Sequence, residues 1–261
     1  MFLARLLIFM LVAVCPTAAF AQGFTVPATR SHQVDSEILG ESFEIVVALP
    51  FSYEASDRDF PLLISLDGDA MFGMSAEIPR LLSFESKVPQ MITASVVYGN
   101  LNRWIAARQR DFHPADGGAE KFLSVLKREV IPFLQNNYRV EENSRALYGH
   151  SSGGLFAFYA GLREPALFSR ILATSPSLEE EPDWAATFPG LIQNNQSGLP
   201  RMFVSADVGE QAMIAALQPS IEAFKAKAPE TSLSFQLYDE GGHMAVIPKA
   251  FTAGLHFLFA R

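Results

Sequence analysis

Seven apolar runs bounded by turn residues follow one another along the chain and predict buried β-strands. Several runs are continuous rather than alternating, which is typical of strands covered on both faces. The runs span residues 42–50, 60–68, 91–99, 144–149, 169–177, 201–207 and 233–239.

Segments between these runs carry apolar residues at helical spacing. The segment 119–138 places Phe122, Leu123, Leu126, Val130 and Phe133 on one stripe, and further helical patterns cover 154–165, 212–227 and 247–261. Strands that alternate with helices predict an α/β fold with a mostly parallel central sheet and helices on both faces. In such sheets ligands bind at the carboxyl ends of the strands.

Composition narrows the class of protein. A hydrophobic share of 49% with 18% charged residues is typical of a folded globular chain, and the net charge of −8 disfavours a nucleic-acid partner. No linker divides the chain, so residues 22–261 are predicted to form one domain.

The first 21 residues have the pattern of a signal peptide. Arg5 precedes an apolar run from residue 6 to residue 14, and small residues end in Ala19-Phe20-Ala21. We expect cleavage after Ala21, export to a bacterial periplasm or beyond the cell, and no membrane span in the mature chain. An uncleaved anchor and a lipoprotein bearing its lipid on Cys15, the one cysteine, are the alternatives.

The stretch Gly149-His150-Ser151-Ser152-Gly153 fits the pattern G-x-S-x-G between a predicted strand and a predicted helix. A sharp strand-to-helix turn lifts a serine hydroxyl clear of its own backbone, so Ser151 is the candidate nucleophile. The helix that follows begins with free N–H groups, and the N–H of Ser152 is a candidate donor to an oxyanion. A glycine-rich turn without chemistry is the alternative.

A serine nucleophile needs a base and a carboxylate that orients it. His243 follows the last predicted strand through Glu240-Gly241-Gly242 and is the candidate base. The acid is expected between Ser151 and His243, where the loop after residues 201–205 offers Asp207 and Glu210, and the residues alone do not separate these two.

A second oxyanion donor is expected from the loop that carries Asp67-Gly68-Asp69 after an earlier strand. Two aspartates without a third ligand do not make a metal site. We therefore expect neither a metal nor another cofactor.

These segments resemble an esterase family of the α/β-hydrolase fold that includes esterase D, mycolyltransferases and siderophore trilactone esterases. The resemblance rests on "LLISLDGDAMF", "RQRDFHPA", "ALYGHSSGGLFAFYAGL", "FVSADVGEQ" and "EGGHMAVIPKAFTAGLHFLF". It implies a serine hydrolase that cleaves small-molecule carboxylic esters through an acyl-enzyme, with a ferric siderophore as a candidate substrate. Acyl transfer and a non-catalytic binding module are the alternatives.

The resemblance also implies roles for individual residues. Ser151 corresponds to the nucleophile, His243 to the base and Glu210, rather than Asp207, to the acid, and the N–H of Asp69 corresponds to the second oxyanion donor.

Two observations bear on the substrate. Where relatives often read "SPSLWW", this chain has carboxylates at positions 179–181, which disfavours an aromatic or strongly anionic substrate. Arg103, Arg108 and Arg110 follow a mid-sheet strand and are candidates to bind an anionic substrate, with salt bridges that position a loop as the alternative.

Overall fold

An eight-stranded β-sheet organises residues 26–259, which are the residues that the computed structural model describes. The strand order is β1-β2-β4-β3-β5-β6-β7-β8. Strands β3 to β8 pair in parallel, and β1 and β2 join the edge of the sheet through antiparallel pairs. The strands are β1 Thr29–Ser36, β2 Glu41–Ala48, β3 Phe60–Ser65, β4 Ile92–Val97, β5 Val140–His150, β6 Arg170–Thr174, β7 Arg201–Asp207 and β8 Leu233–Tyr238.

All seven predicted strands are present, so the mostly parallel sheet is confirmed. Strand β1 was not predicted, because it reads TRSHQVDS and half of its residues are exposed at the sheet edge. An edge strand of this kind lacks the continuous apolar run that marks a buried strand.

Helices cover both faces of the sheet. Helices α1 and α8 pack on one face, while α3, α5, α6 and α7 contribute to the larger core on the other. The helices are α1 Gly68–Phe84, α2 Leu101–Asp111, α3 Gly118–Val125, α4 Ile131–Asn137, α5 Ser152–Arg163, α6 Pro182–Asn194, α7 Gln211–Lys227 and α8 Ile247–Phe259.

The predicted helix at 119–138 is present with one irregularity. A π-helical turn, Leu126–Val130, joins α3 to α4 directly before Pro132. Proline has no N–H to donate to the preceding turn, so the wider turn falls where the regular hydrogen-bond pattern would break. Leu126 and Val130 stay buried, as their place on the apolar stripe predicted.

Three helices, α1, α2 and α6, were not predicted. The three candidate arginines therefore lie on α2 rather than in a loop. Among residues 26–259, no helix is long and apolar enough to cross a membrane. The predicted signal peptide lies outside the described residues, so its cleavage and export stay predictions.

Candidate active site

Ser151 occupies the sharp turn between β5 and α5. Its φ of 59° and ψ of −125° are a conformation that non-glycine residues rarely adopt. The turn is held by the Ser151 N–H, which donates to the Thr174 carbonyl at 3.0 Å, and by its carbonyl, which accepts from the N–H of Leu155 at 2.9 Å. Strain held by its surroundings is common at functional sites.

A glycine at position 149 permits this turn. A Cβ built at Gly149 would lie 2.0 Å from the Gly153 carbonyl oxygen, closer than any real contact. Strand and helix approach each other here without side chains between them, which brings the first turn of α5 beside the hydroxyl of Ser151.

His243 lies in the loop that follows β8, the strand at one edge of the sheet. Gly241 and Gly242 take φ values of 81° and 147°, which glycine alone adopts readily. The imidazole Nδ1 is hydrogen-bonded to Oε1 of Glu210. This leaves Nε2 as the ring nitrogen available for proton transfer.

Both oxygens of the Glu210 carboxylate are hydrogen-bonded. While Oε1 contacts His243, Oε2 accepts from the N–H of Asp207 at 2.6 Å and from the Ser175 hydroxyl at 2.8 Å. Glu210 precedes the first residue of α7, and its side chain is 13% exposed. The carboxylate is therefore fixed in one direction, toward the histidine.

The Asp207 carboxylate, by contrast, bonds to backbone. Oδ1 accepts from the N–H of Gly209 and Oδ2 from the N–H of Glu240, both at 3.0 Å. These backbone donors hold the pKa of the Asp207 carboxyl below its usual value. Asp207 therefore fastens the loop of His243 to the end of β7, while Glu210 contacts the imidazole itself.

Two cavities meet at Ser151 and His243. The first, which we call the Glu179 cavity, has a volume of about 310 Å³. It is lined by Ser151, Ser177, Glu179, Glu180, Gly209, Glu210, Gln211, Ala212, Met213 and His243. Burial raises the pKa of the Glu179 carboxyl, and the neighbouring carboxylates raise it further. No lysine or arginine of the described residues lines this cavity, so it favours neutral or cationic groups.

The second cavity, the Trp104 cavity, has a volume of about 370 Å³. It is lined by Asp67, Ala70, Met71, Trp104, Ile105, Arg108, Gln109, His150, Ser151, His243 and Met244. Ile105 and Met244 are exposed at its rim. The two cavities thus offer an acidic and a more apolar space on either side of the serine.

Asp67 forms the polar floor of the Trp104 cavity. Its carboxylate accepts from the indole N–H of Trp104 at 2.8 Å and from Nη1 of Arg108 at 3.1 Å. Burial raises the pKa of Asp67 to about 6, although both partners act in the opposite direction. The charge of Arg108 is therefore partly balanced by the buried carboxyl group of Asp67.

Of the three candidate arginines, the structure brings only Arg108 to a cavity that Ser151 lines. Arg103 donates to the Ser42 carbonyl at 2.7 Å and lines a separate cavity beside β1, β2 and β4. Arg110 pairs with Asp111 and with Glu41, each at 2.6 Å. Arg103 and Arg110 therefore contact β2, as in the alternative of a structural role, although they position a helix rather than a loop.

Both predicted oxyanion donors lie in the first turn of a helix. Ser152 begins α5, and Asp69 is the second residue of α1. N–H groups in a first turn have no acceptor within their own helix. The Asp69 carboxylate accepts from the N–H groups of Tyr98 and Gly99, at 2.9 and 2.8 Å, which fastens this turn to the end of β4.

Several residues at the site were not singled out from the sequence. Ser177 lies with its Oγ 3.3 Å from Oγ of Ser151, and Ser175 supports Glu210 from a φ of 41°. Ser175 and Ser177 follow β6, and their spacing does not mark them as functional residues. The sequence "SPS" directly after an apolar run indicated only the end of a strand. Within residues 26–259, no group of His, Cys, Asp and Glu side chains could hold a metal ion.

Most of the chain is similar to known proteins. A family model described as "Putative esterase" matches residues 36–256. The ferri-bacillibactin esterase BesA of Bacillus subtilis is 26% identical over 178 residues, which cover 60% of this chain and 61% of that protein. A siderophore triacetylfusarinine C esterase of Aspergillus fumigatus is 30% identical over 168 residues, covering 59% and 58%. The chain therefore spans less than two thirds of the length of these curated relatives.

Solved structures share the fold. The siderophore hydrolase EstB from Aspergillus nidulans superposes with a TM-score of 0.80 at 22% identity, over 91% of this chain and 98% of that one. An IroE-like serine hydrolase from Shewanella oneidensis gives a TM-score of 0.76 at 24% identity, over 88% and 80%. At these identities the likeness concerns the fold, and the predicted α/β-hydrolase fold is confirmed.

Proposed function

The chain belongs to this esterase family, and from that premise we propose that it is a serine hydrolase of small-molecule carboxylic esters. The observation that carries the proposal is the arrangement around one turn: Ser151 at a positive φ shares its cavities with His243, whose Nδ1 is held by Glu210. A nucleophile, a base and an orienting carboxylate in this relation are what acyl transfer through serine requires.

In the proposed reaction, Oγ of Ser151 attacks the acyl carbon while its proton passes to Nε2 of His243. The tetrahedral intermediate carries its negative charge on the former carbonyl oxygen, which accepts hydrogen bonds from the N–H groups of Ser152 and Asp69. As the intermediate collapses, the carbon–oxygen bond to the alcohol breaks and the alcohol leaves with the proton from His243. An acyl-enzyme on Ser151 remains.

Water then repeats the sequence on the acyl-enzyme. His243 takes a proton from the water as its oxygen attacks the acyl carbon, and the same N–H groups bind the second oxyanion. The bond to Oγ of Ser151 breaks, the proton returns to the serine and the free acid leaves. Glu210 keeps Nδ1 of His243 protonated throughout and stabilises the imidazolium formed in each half of the cycle.

The test of this proposal is hydrolysis of short acyl p-nitrophenyl esters by wild type and by Ser151→Ala. We expect turnover by the wild type, labelling of Ser151 by a fluorophosphonate, and loss of both in the variant. Ser197→Ala, the same substitution on an exposed loop that precedes β7, is the matched control and keeps both. Equal hydrolysis by wild type and Ser151→Ala contradicts the proposal.

Among carboxylic esters, we propose a siderophore ester as the substrate to examine first, on the support of the relatives named above. The Glu179 cavity sets a condition on this choice, because carboxylates next to Ser151 repel a strongly anionic ligand. The test is a triserine trilactone siderophore offered with and without iron, read against Ser151→Ala. Cleavage of simple esters without cleavage of the trilactone rejects the siderophore and leaves the esterase proposal intact.

A further inference from the structure

His150, directly before the nucleophile, is a buried imidazole that the proposed reaction does not use. It is 3% exposed, its Nδ1 lies 3.0 Å from Oγ1 of Thr174, and its Nε2 has no hydrogen-bond partner among the described residues. A buried polar atom without a partner is unfavourable. An imidazole at this position therefore calls for an explanation other than its hydrogen bonds.

The surroundings of this ring indicate its protonation state. Burial lowers the pKa of His150 to about 3, and the charges of His243 and Arg108 act in the same direction. The ring is neutral at any pH near neutrality.

This neutral ring packs against the candidate base. The ring centroids of His150 and His243 lie 4.5 Å apart with an angle of 44° between the planes. The His243 ring is also held by its Nδ1 hydrogen bond to Glu210. One hydrogen bond fixes one atom and leaves the ring free to turn about it, and the side chain of His243 is 38% exposed on a loop with two flexible glycines.

We propose that His150 is a positioning residue whose flat ring packs against one side of His243 and keeps its Nε2 directed toward Ser151. This inference rests on the proposed function, because it assigns a partner to the base of that reaction. A neutral ring suits this place, since a protonated His150 would repel the imidazolium of His243 that forms during each proton transfer. Small displacements of a base lower the rate steeply, so a fixed ring plane affects turnover more than substrate binding.

The experiment compares His150→Ala, which removes the ring, with His150→Phe, which keeps a flat ring without nitrogen atoms. The readouts are the rate constant for fluorophosphonate labelling of Ser151, and kcat and KM for a p-nitrophenyl ester per titrated site. Titration counts folded sites only, so partial unfolding does not imitate the effect. For His150→Ala we expect labelling and kcat to fall about 10-fold to 100-fold with KM within about threefold, and for His150→Phe both to stay within about threefold of wild type.

Two variants complete the design. His256→Ala makes the same substitution on α8, outside both cavities, and is expected to remain within about twofold of wild type. His150→Leu fills the volume without a flat ring and replaces His150→Ala if that variant does not fold; we expect it to be equally slow.

Three outcomes overturn the proposal. Rates within twofold of wild type in both His150→Ala and His150→Leu show that no ring is needed, and a His150→Phe as slow as His150→Ala shows that the nitrogen atoms act themselves. A wild type that the fluorophosphonate does not label overturns the proposed function and this inference together. Either of the first two outcomes, with normal labelling of the wild type, overturns the inference alone.

Discussion

The carboxylates of Glu210 and Asp207 make different contacts, although they stand three residues apart. Glu210 contacts the imidazole of His243 and is itself held by a backbone N–H and by the Ser175 hydroxyl. Asp207 accepts from backbone N–H groups, one of which, that of Glu240, belongs to the loop that carries the histidine. The first carboxylate is placed to orient the base, and the second to hold its loop.

We therefore expect Glu210→Gln to lower kcat more than Asp207→Asn. An amide at Glu210 loses the charge that stabilises the imidazolium, and a decrease of about 10²-fold to 10⁴-fold in kcat is expected. An amide at Asp207 still offers an oxygen to one backbone donor, so a decrease of about tenfold or less is expected, together with lower stability. Steady-state kinetics and urea unfolding of both variants measure these effects.

The two variants are controls for each other, because each removes one negative charge from the same loop. A larger loss of kcat in Asp207→Asn than in Glu210→Gln would assign the acid to Asp207. Similar losses in both would contradict the assignment of the acid to Glu210 rather than Asp207.

The acid illustrates what could be predicted at this scale and what could not. The positions of Ser151 and His243 were predictable, because the sequence indicates a strand-to-helix turn at the first and a glycine-containing loop after a strand at the second. Asp207 and Glu210 were not separable by the same reasoning, because both follow β7. What separates them is the direction of each side chain, which depends on where α7 begins and on Ser175, a residue of a different strand end.

Among the elements, the junction of β5 with α5 depends on close packing of backbone. A Cβ at Gly149 would lie 2.0 Å from the carbonyl oxygen and 2.3 Å from the carbonyl carbon of Gly153. Both atoms belong to the first turn of α5, which is buried along its length and cannot move aside. Strand and helix thus support the geometry of Ser151 jointly.

Gly149→Ala is expected to lower the free energy of unfolding by about 2–4 kcal/mol, because backbone must shift to admit the methyl group. The matched control is Gly190→Ala in α6, where a Cβ would meet nothing within 4 Å. The control is expected to raise the free energy of unfolding by about 0.5–1 kcal/mol, since alanine favours a helix more than glycine does. Urea unfolding measures both changes, and a destabilisation of equal size in the two variants would contradict the packing argument.

Elements with continuous apolar runs were predictable, and elements that depend on long-range contacts were not. Strand β7 was predicted with the bounds it has, 201–207, because buried strands need apolar residues throughout. Helix α2 escaped prediction because most of its residues are polar or charged and only Ala107 and Asp111 are buried. Its place depends instead on contacts such as those of Trp104 and Arg108 with Asp67.

At the scale of the whole molecule the net charge is −8, and the candidate site has a negatively charged cavity as well. Glu179 and Glu180 line the cavity that contains Ser151 and His243. The interaction of each exposed carboxylate with a substrate charge is modest, but it adds to the negative field of the entire chain. We therefore expect an ester with a positive charge on this side to be preferred over a neutral ester of the same shape.

This preference is measured as the ratio of kcat/KM for butyrylcholine to kcat/KM for 3,3-dimethylbutyl butyrate, an uncharged ester of the same shape. We expect the double variant Glu179→Gln, Glu180→Gln to lower this ratio about threefold to tenfold, and added salt to lower it in the wild type. Intrinsic reactivity of the two esters cancels when ratios are compared between variants.

Asp183→Asn provides a control that removes one negative charge away from the site, because Asp183 is exposed on α6 and lies outside the cavity. It is expected to leave the ratio within about 1.5-fold of wild type. A change in this control as large as in the double variant would attribute the preference to net charge alone.

At this scale the parallel sheet was predictable from alternating strands and helices, but its full extent was not. The candidate site residues Asp67, Ser151 and His243 lie at the carboxyl ends of β3, β5 and β8, where ligands were predicted to bind. The antiparallel addition of β1 depends on pairing with β2 rather than on its own apolar residues.

The proposed nucleophile and the proposed base follow strands that are paired to different degrees. Ser151 follows β5, which is paired on both sides, whereas His243 follows the edge strand β8 and two glycines at positive φ. Edge strands and loops open at a lower free energy than central strands. We therefore expect warming to open the loop of His243 before the sheet melts, so that a short loop rather than the core limits the highest working temperature.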